Sequence, residues 1–161
     1  MRNAVYTLKE VVGILCRSKD PDEAAKIMRQ VRHWTVSDLL PPSGRKHTGT
    51  GTSREYTAHE IRMAAILLEL ARYKVPVTVL EGFDEMVGNY SDSPEWRAAV
   101  EGKRPIFLQF AFPDDRSYWL IHDGSPKHDF LASTRPAQSG FPDAASAIIV
   151  NLTKVFRGLP K

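Results

Sequence analysis

The residues with the clearest chemical potential lie between Asp20 and Pro41, on what the pattern predicts to be one helix. At 100° per residue, its apolar and core-facing side chains share one side: Ala24, Ile27, Met28, Val31, Trp34 and Thr35. The opposite side carries the donors and positive charges: Lys26, Arg29, Gln30, His33 and, at its flank, Arg32. Such side chains suit a DNA major groove, where they contact base edges and neutralise phosphates. The alternative is an ordinary solvated helix face.

A second basic stretch follows this helix. Residues 43–53 contain no large apolar side chain and include Arg45, Lys46 and His47 among Gly, Ser and Thr. This composition is typical of the tip of a hairpin or wing, where charges, hydroxyls and backbone amides together suit phosphate contact. A solvated loop without a ligand is the alternative.

A third constellation suggests metal chemistry. His122 and Asp123 precede His128 and Asp129 by six residues, and imidazole with carboxylate suits a divalent metal that activates water. Residues 124–126 are Gly, Ser and Pro, which indicate a turn, and polar residues gather at turns without any chemistry. The chain has no Gly-rich phosphate loop and no nucleophile elbow. We therefore predict a protein that is not an enzyme, with no catalytic residue, no metal and no cofactor.

Composition limits the class of protein. The 161 residues suffice for one ordinary domain or two small ones, and the single cysteine, Cys16, excludes an internal disulfide. No apolar run approaches the roughly 20 residues of a membrane helix, and no signal-peptide pattern is present, so we expect a cytoplasmic protein without a membrane partner. Residues 1–78 carry 13 Lys and Arg against 8 Asp and Glu, whereas residues 79–161 carry 9 against 11. This asymmetry favours a polyanion-binding first half.

Start and stop signals place the helices of the first half. Thr7 with Glu10 and Thr57 with Glu60 each have the spacing of a capping box, and Asp20 before Pro21 is another start signal. The paired prolines at 41–42 end the second helix. The third helix is strongly apolar and ends at Pro76. A shorter helix is predicted from Thr78, with Leu80, Phe83 and Val87 on one face.

The second half changes character. Ser93 caps a short helix that ends near Gly102, and strands are predicted at 106–112, 116–121 and 147–152, with a last short helix from Thr153. Several aromatic side chains of these strands either line a ligand pocket or form plain core, and core is the preferred interpretation: Phe107, Phe110, Phe112, Tyr118 and Trp119. The apolar strand at 147–152 is either central or an edge that pairs with another subunit.

Three stretches resemble the MerR-type winged helix-turn-helix regulators. Residues 31–42 (VRHWTVSDLLPP) resemble the family's helix-two signature, and residues 53–60 (SREYTAHE) are similar to its Arg-x-Tyr motif at the end of the wing. Residues 75–80 (VPVTVL) resemble the joint between its third and fourth helices. The resemblance covers roughly residues 5–90 and departs from the family after them, because no long dimerising helix follows.

The resemblance implies that Arg32 and His33 meet DNA and that Arg54 and Tyr56, at the base of the wing, clamp the phosphate backbone. It leaves open whether the Trp34 ring packs under the helix or touches DNA. Asp38 stands where the family usually has Gly, which leaves the conformation of this turn open, and the segment from Thr7 to Arg32 is several residues longer than the family pattern.

We therefore predict an α+β protein with a MerR-like winged helix-turn-helix domain at 1–90 and a small sheet-containing dimerisation or sensor domain at 91–161. The predicted function is a sequence-specific, homodimeric transcription regulator that binds double-stranded DNA, with a small-molecule or protein effector possible at the second domain. The predicted DNA-binding residues are Lys26, Arg29, Gln30, Arg32, His33, Arg45, Lys46, Arg54 and Tyr56. One alternative is a phage or mobile-element architectural factor for excision or packaging. Another is a metal-dependent hydrolase that uses His122 and His128.

Overall fold

The computed structural model describes residues 4–18, 20–43, 54–80, 82–112, 118–123 and 146–161. Helices dominate the first part of the chain and a three-stranded antiparallel sheet the second, so the predicted α+β class is confirmed. Within the described ranges, none of the helices has the length and apolar character needed to cross a membrane. The elements follow one another in this order: β1 (Val5–Thr7), α1 (Leu8–Leu15), α2 (Pro21–Val36), β2 (Glu55–Thr57), α3 (Ala58–Arg72), α4 (Phe83–Tyr90), α5 (Pro94–Glu101), β3 (Phe107–Phe112), β4 (Tyr118–His122), β5 (Ser146–Asn151) and α6 (Leu152–Val155).

The first three helices begin where the capping signals predict. The Glu10 carboxylate accepts a hydrogen bond from the Thr7 backbone N–H at 2.7 Å, and this bond lowers the pKa of Glu10. Thr57 and Glu60 form the second capping box, and Asp20 Oδ1 accepts from Asp22 N at 2.9 Å. Each cap satisfies backbone donors that the first helical turn leaves without a partner.

The turn after α2 keeps the backbone geometry that glycine favours, although Asp38 stands there. Asp38 has φ 59°, in the left-handed region. The N–H groups of Leu39 and Leu40 both donate to the carbonyl of Trp34, at 3.0 and 3.2 Å. The turn thereby buries both leucines, at 5% and 0% exposure, and this tight reversal directs the chain away from the helix axis.

We expect Asp38→Gly to raise the free energy of unfolding by at most about 1 kcal/mol, because glycine adopts the left-handed region without a Cβ clash but gives up the interaction that the Asp38 side chain makes. Asp38→Val should lower it by about 1–2 kcal/mol, because a β-branched side chain suffers most there. Urea denaturation checks both variants. Lys74→Gly, at φ 58°, is the matched second site and should also stabilise. A large loss of stability in Asp38→Gly would mean that the carboxylate, and not the backbone, determines this turn.

Two predicted boundaries after α3 are wrong. Helix α3 ends at Arg72 and not at Pro76, because Lys74 takes the left-handed conformation before the proline is reached. The next helix begins at Phe83 and not at Thr78, because a single 3-10 turn and then Gly82 at φ 75° separate it from that point. The predicted apolar face is nevertheless buried: Leu80, Phe83 and Val87.

The sheet has the order β4-β3-β5 with both pairs antiparallel, so the three predicted strands are confirmed. Strand β3 lies in the centre and β5 at an edge of the described sheet, which resolves the alternative left open for 147–152. The rings of Phe110 and Trp119 stack at 3.9 Å, and Phe110 is fully buried. This aromatic pair therefore belongs to the core. The side chains of Phe112 and Tyr118 lie outside the described part.

Buried residues on both sides of the predicted boundary at residue 90 belong to one hydrophobic core. The Trp96 ring on α5 meets the Phe156 ring at 5.0 Å and the His59 ring of α3 at 5.9 Å. Burial lowers the pKa of His59. The Arg62 guanidinium of α3 also donates to the carbonyl of Pro160 at 2.8 Å. The helices of the first half are thus in direct contact with the second, and the division into two domains stays a prediction.

Candidate nucleic-acid interface

Helix α2 is held by one buried stripe. Ile27, Val31, Trp34 and Thr35 are at most 5% exposed, and they recur at the spacing of one helix face. The Trp34 ring, at 4%, packs in the core, which decides between the two roles left open for it. Because this stripe is fixed against the core, the opposite face of α2 is oriented outward.

Arg29 lies in the middle of the outward face. Lys26 and Arg32 are three residues to either side, so at 3.6 residues per turn each is displaced from Arg29 by about 60° around the helix. These three side chains and His33 are exposed. Within the described part of the chain, none of the three cations has an ion-pair partner. Their positive charges are therefore available to an external anion.

Gln30 does not share this face. It is half-buried and lines a small groove of about 120 Å³ between α2 and α3, beside Leu15 and Leu68. Lys26 borders the same groove but, unlike Gln30, is exposed. The sequence predicts Gln30 on the exposed face and Arg32 at its flank. The structure has the opposite arrangement, with Arg32 on the exposed face and Gln30 at the flank. The physical reason is that α1 packs against α2 and that residues of α1 and α3 border the groove beside Gln30, so the enclosed side of α2 is wider than the apolar stripe alone indicates.

A two-stranded antiparallel ladder lies beside the helices. β1 pairs with β2 in the register Val5↔Thr57 to Thr7↔Glu55. Ser43 donates from both its backbone N–H and its hydroxyl to the carbonyl of Glu55, each at 3.0 Å. The chain therefore leaves the described part at Ser43 next to the point where it returns before β2. Arg45 and Lys46, predicted to contact phosphates, lie outside the described residues.

The structure corrects the role implied for Tyr56. Its side chain is fully buried, and its hydroxyl lies 3.0 Å from the hydroxyl of Thr35 on α2. The Thr35 hydroxyl donates to the carbonyl of Val31 at 2.9 Å, so Tyr56 is the donor in the pair. Tyr56 joins β2 to the last turns of α2, and in this position its hydroxyl does not face a phosphate. The alternation of side chains along a strand could have predicted this burial, because it places Tyr56 on one side of β2 and the polar Glu55 and Thr57 on the other.

Arg54 keeps a place near the end of α2. It directly precedes β2 and is half-buried. A strand rises about 3.3 Å per residue, so the Arg54 backbone lies about 7 Å from that of Tyr56, which itself contacts α2. Arg54 thus lies two residues before the strand position whose side chain contacts Thr35 of α2.

Only the first half of the predicted metal constellation lies within the described residues. His122 is buried, at 2% exposure, and its ring stacks on Phe107 at 5.9 Å. Asp123 accepts from the Arg104 guanidinium at 2.8 Å. His128 and Asp129 lie outside the described residues. In the part of the chain that the structure covers, no three or more His, Cys, Asp or Glu side chains are grouped as a metal site.

Together these elements define a class: an α+β protein whose first half presents an exposed cationic helix beside a short antiparallel ladder. Comparison with known proteins finds neither a family model nor a curated protein that matches this chain. The function is therefore argued from the helix α2 and its surroundings.

Proposed function

We propose that this protein is a sequence-specific transcription regulator that binds double-stranded DNA as a homodimer through a MerR-like winged helix-turn-helix. Helix α2 enters the major groove, with Lys26, Arg29 and Arg32 directed at base edges and phosphates. The observation that carries the proposal is that these three exposed cations share one face of a well-anchored helix and have no ion pair among the described residues. A helix of ordinary width fits a groove of about 12 Å.

The order of elements supports the winged interpretation. The resemblance implies two helices, a basic wing and two more helices, and α1, α2, the basic segment between Ser43 and Arg54, α3 and α4 follow one another in that order. In the proposed complex, Arg54 contacts the backbone beside α2. Arg45 and Lys46 of the segment between Ser43 and Arg54 neutralise flanking phosphates.

The exposed apolar residue at the end of α2 has a use in the same complex. Val36 is 58% exposed and follows Arg32 by four residues, so the two side chains lie on neighbouring turns of the outward face. An apolar side chain in the major groove packs against the methyl group of thymine, which only one of the two bases in an A·T pair carries. Val36 therefore adds a preference for thymine next to the base that Arg32 contacts.

A titration with mixed genomic fragments tests the proposal. We expect a complex at low ionic strength, and a logarithm of the binding constant that falls linearly with the logarithm of salt concentration. If about four cations neutralise phosphates, the slope is about −3.6. Failure to form any complex at low ionic strength would reject DNA binding altogether.

Sequencing of the DNA recovered from a genomic pull-down then gives the preferred site. Enrichment at promoters supports the regulator, whereas enrichment at recombination or packaging sites points to the architectural alternative. Uniform recovery of all sequences would contradict the sequence-specific part of the proposal and leave only phosphate binding.

A further inference from the structure

Among the described residues, strand β5 is an edge of the sheet that carries none of the usual protection. Its residues, Ser146 to Asn151, include no charged side chain and no proline, and it pairs with β3 without a bulge from Phe107↔Asn151 to Phe112↔Ser146. Soluble proteins normally protect such an edge with lysine, proline, a bulge or a covering element, because its free backbone groups bind other strands. Because the described residues supply none of these devices, β5 is able to pair with a further strand.

The backbone bonds fix which residues face outward. Leu152 N donates to Ile106 O at 2.8 Å, so this pair is hydrogen-bonded, and such pairs alternate along an antiparallel ladder. Ile148 and Val150 therefore direct their N–H and C=O groups towards β3. Ala147 and Ile149 direct theirs away from the sheet, where a further strand would bind them.

The surroundings of this edge are apolar with charges of both signs. Ile149 is 43% exposed and Tyr73, at the end of α3, is 60% exposed, and both line one open cleft of about 360 Å³. Arg17, Lys154 and Glu69 also line it. Ile149 and Tyr73, two of the exposed large hydrophobic residues of the described chain, thus lie together beside the β5 edge. The cations Arg17 and Lys154 and the carboxylate of Glu69 lie next to them.

We propose that β5 pairs with β5 of a second copy of this chain, antiparallel and around a two-fold axis, so that the described three-stranded sheets of the two copies join into one. An isologous contact needs a surface that complements itself. The uncharged strand meets its copy without repulsion. Glu69 pairs with the exposed Arg72 of its own copy at 2.7 Å, and its carboxylate can accept a second cation, Arg17 or Lys154 of the other copy. The role of this dimer rests on the proposed function, because helix-turn-helix proteins commonly bind paired half-sites on DNA as dimers.

The interface is small, and its size limits the affinity between the two copies. The outward groups of Ala147 and Ile149 supply about four backbone hydrogen bonds across the two-fold axis. Such a contact lies at the low end of interface sizes, below about 1,200 Å². We therefore expect a monomer–dimer equilibrium in free solution, and tighter pairing on DNA, where one bound copy raises the effective concentration of the next.

Sedimentation equilibrium of the full chain without DNA tests this interface. The fraction of wild-type protein that is dimeric should rise with concentration up to about 300 µM, because a small interface gives weak association. Ile149→Lys should be monomeric throughout, because it brings two like charges onto the same face of the paired strands, as diagonal neighbours across the two-fold axis. Val5→Lys is the matched control, since Val5 is a β-branched strand residue that is 51% exposed and remote from β5 in the sheet pairing, and this variant should still dimerise.

A second variant tests the backbone itself. Ala147→Pro removes the backbone N–H of residue 147, which faces outward, and leaves the hydrogen bonds between β5 and β3 in place. Proline is tolerated in a sheet at such an edge position. We expect a monomer with an unchanged circular dichroism spectrum. A wild-type protein that stays monomeric at every concentration, or dimers that persist in both Ile149→Lys and Ala147→Pro, would overturn the interface.

DNA binding is measured separately, on a duplex with one half-site. Ile149→Lys should bind this duplex as wild type does, and should lose at least about tenfold on a duplex with two half-sites, because pairing no longer adds to the affinity. Loss of the dimer with normal binding to one half-site supports the interface. A wild-type dimer that binds no DNA would reject the proposed function and leave the interface intact.

Discussion

We expect Arg29→Ala to weaken binding to the preferred DNA sequence by about 10- to 100-fold, because a well-placed arginine contributes about 1–3 kcal/mol to discrimination between bases. Arg29 lies in the middle of the exposed face of α2, between Lys26 and Arg32, where a helix in the major groove comes closest to the bases. Affinity for random duplex should fall much less, so the ratio of specific to non-specific binding should narrow. Competition titrations with preferred and random duplexes measure this ratio.

Arg54→Ala should behave differently. Arg54 precedes β2 at the base of the ladder, outside the exposed face of α2, so its proposed contact is with the phosphate backbone. We expect an equal loss on preferred and random duplex, and a salt slope that is smaller by about 1. The control is Arg97→Ala, which removes an exposed arginine from α5 and should change neither quantity. Equal effects of Arg29→Ala and Arg54→Ala on the two duplexes would contradict this division of roles.

The largest loss of stability should follow Tyr56→Ala, at about 3–5 kcal/mol in the free energy of unfolding. The Tyr56 ring is fully buried between β2 and α2, and truncation leaves a cavity and also removes the donor to Thr35. Tyr56→Phe removes only the hydroxyl and should cost about 1 kcal/mol, since Thr35 keeps its own bond to Val31. Urea denaturation measures both variants.

Tyr73→Phe is the matched control for the hydroxyl, because Tyr73 is 60% exposed and its change should stay within about 0.5 kcal/mol. DNA binding by Tyr56→Phe gives the decisive comparison between a core residue and a phosphate clamp. Folded Tyr56→Phe should bind DNA as wild type does. A drop in affinity of the kind expected for Arg54→Ala would restore the role that the resemblance implies for this tyrosine.

The local features of the fold follow from the sequence by itself. Capping boxes at Thr7 and Thr57 place the starts of α1 and α3, because they depend on side chains three residues apart. Short apolar and aromatic runs, two of them joined by a turn sequence, predict the strands of the sheet, and the 3.6-residue period predicts which side of α2 is buried. These are interactions within a few residues of the chain, so the order of residues is enough to predict them.

The tertiary structure alone decides the features that depend on contacts between distant segments. Tyr56 is buried because β2 pairs with β1 and its hydroxyl meets Thr35, which is 21 residues away in the sequence. Gln30 lies in a groove because α3 packs beside α2. Strand β5 is at an edge because β3 takes the centre of the sheet. In each case the contacting residues come from a remote part of the chain, and the periodicity within one segment does not predict which segment packs against it.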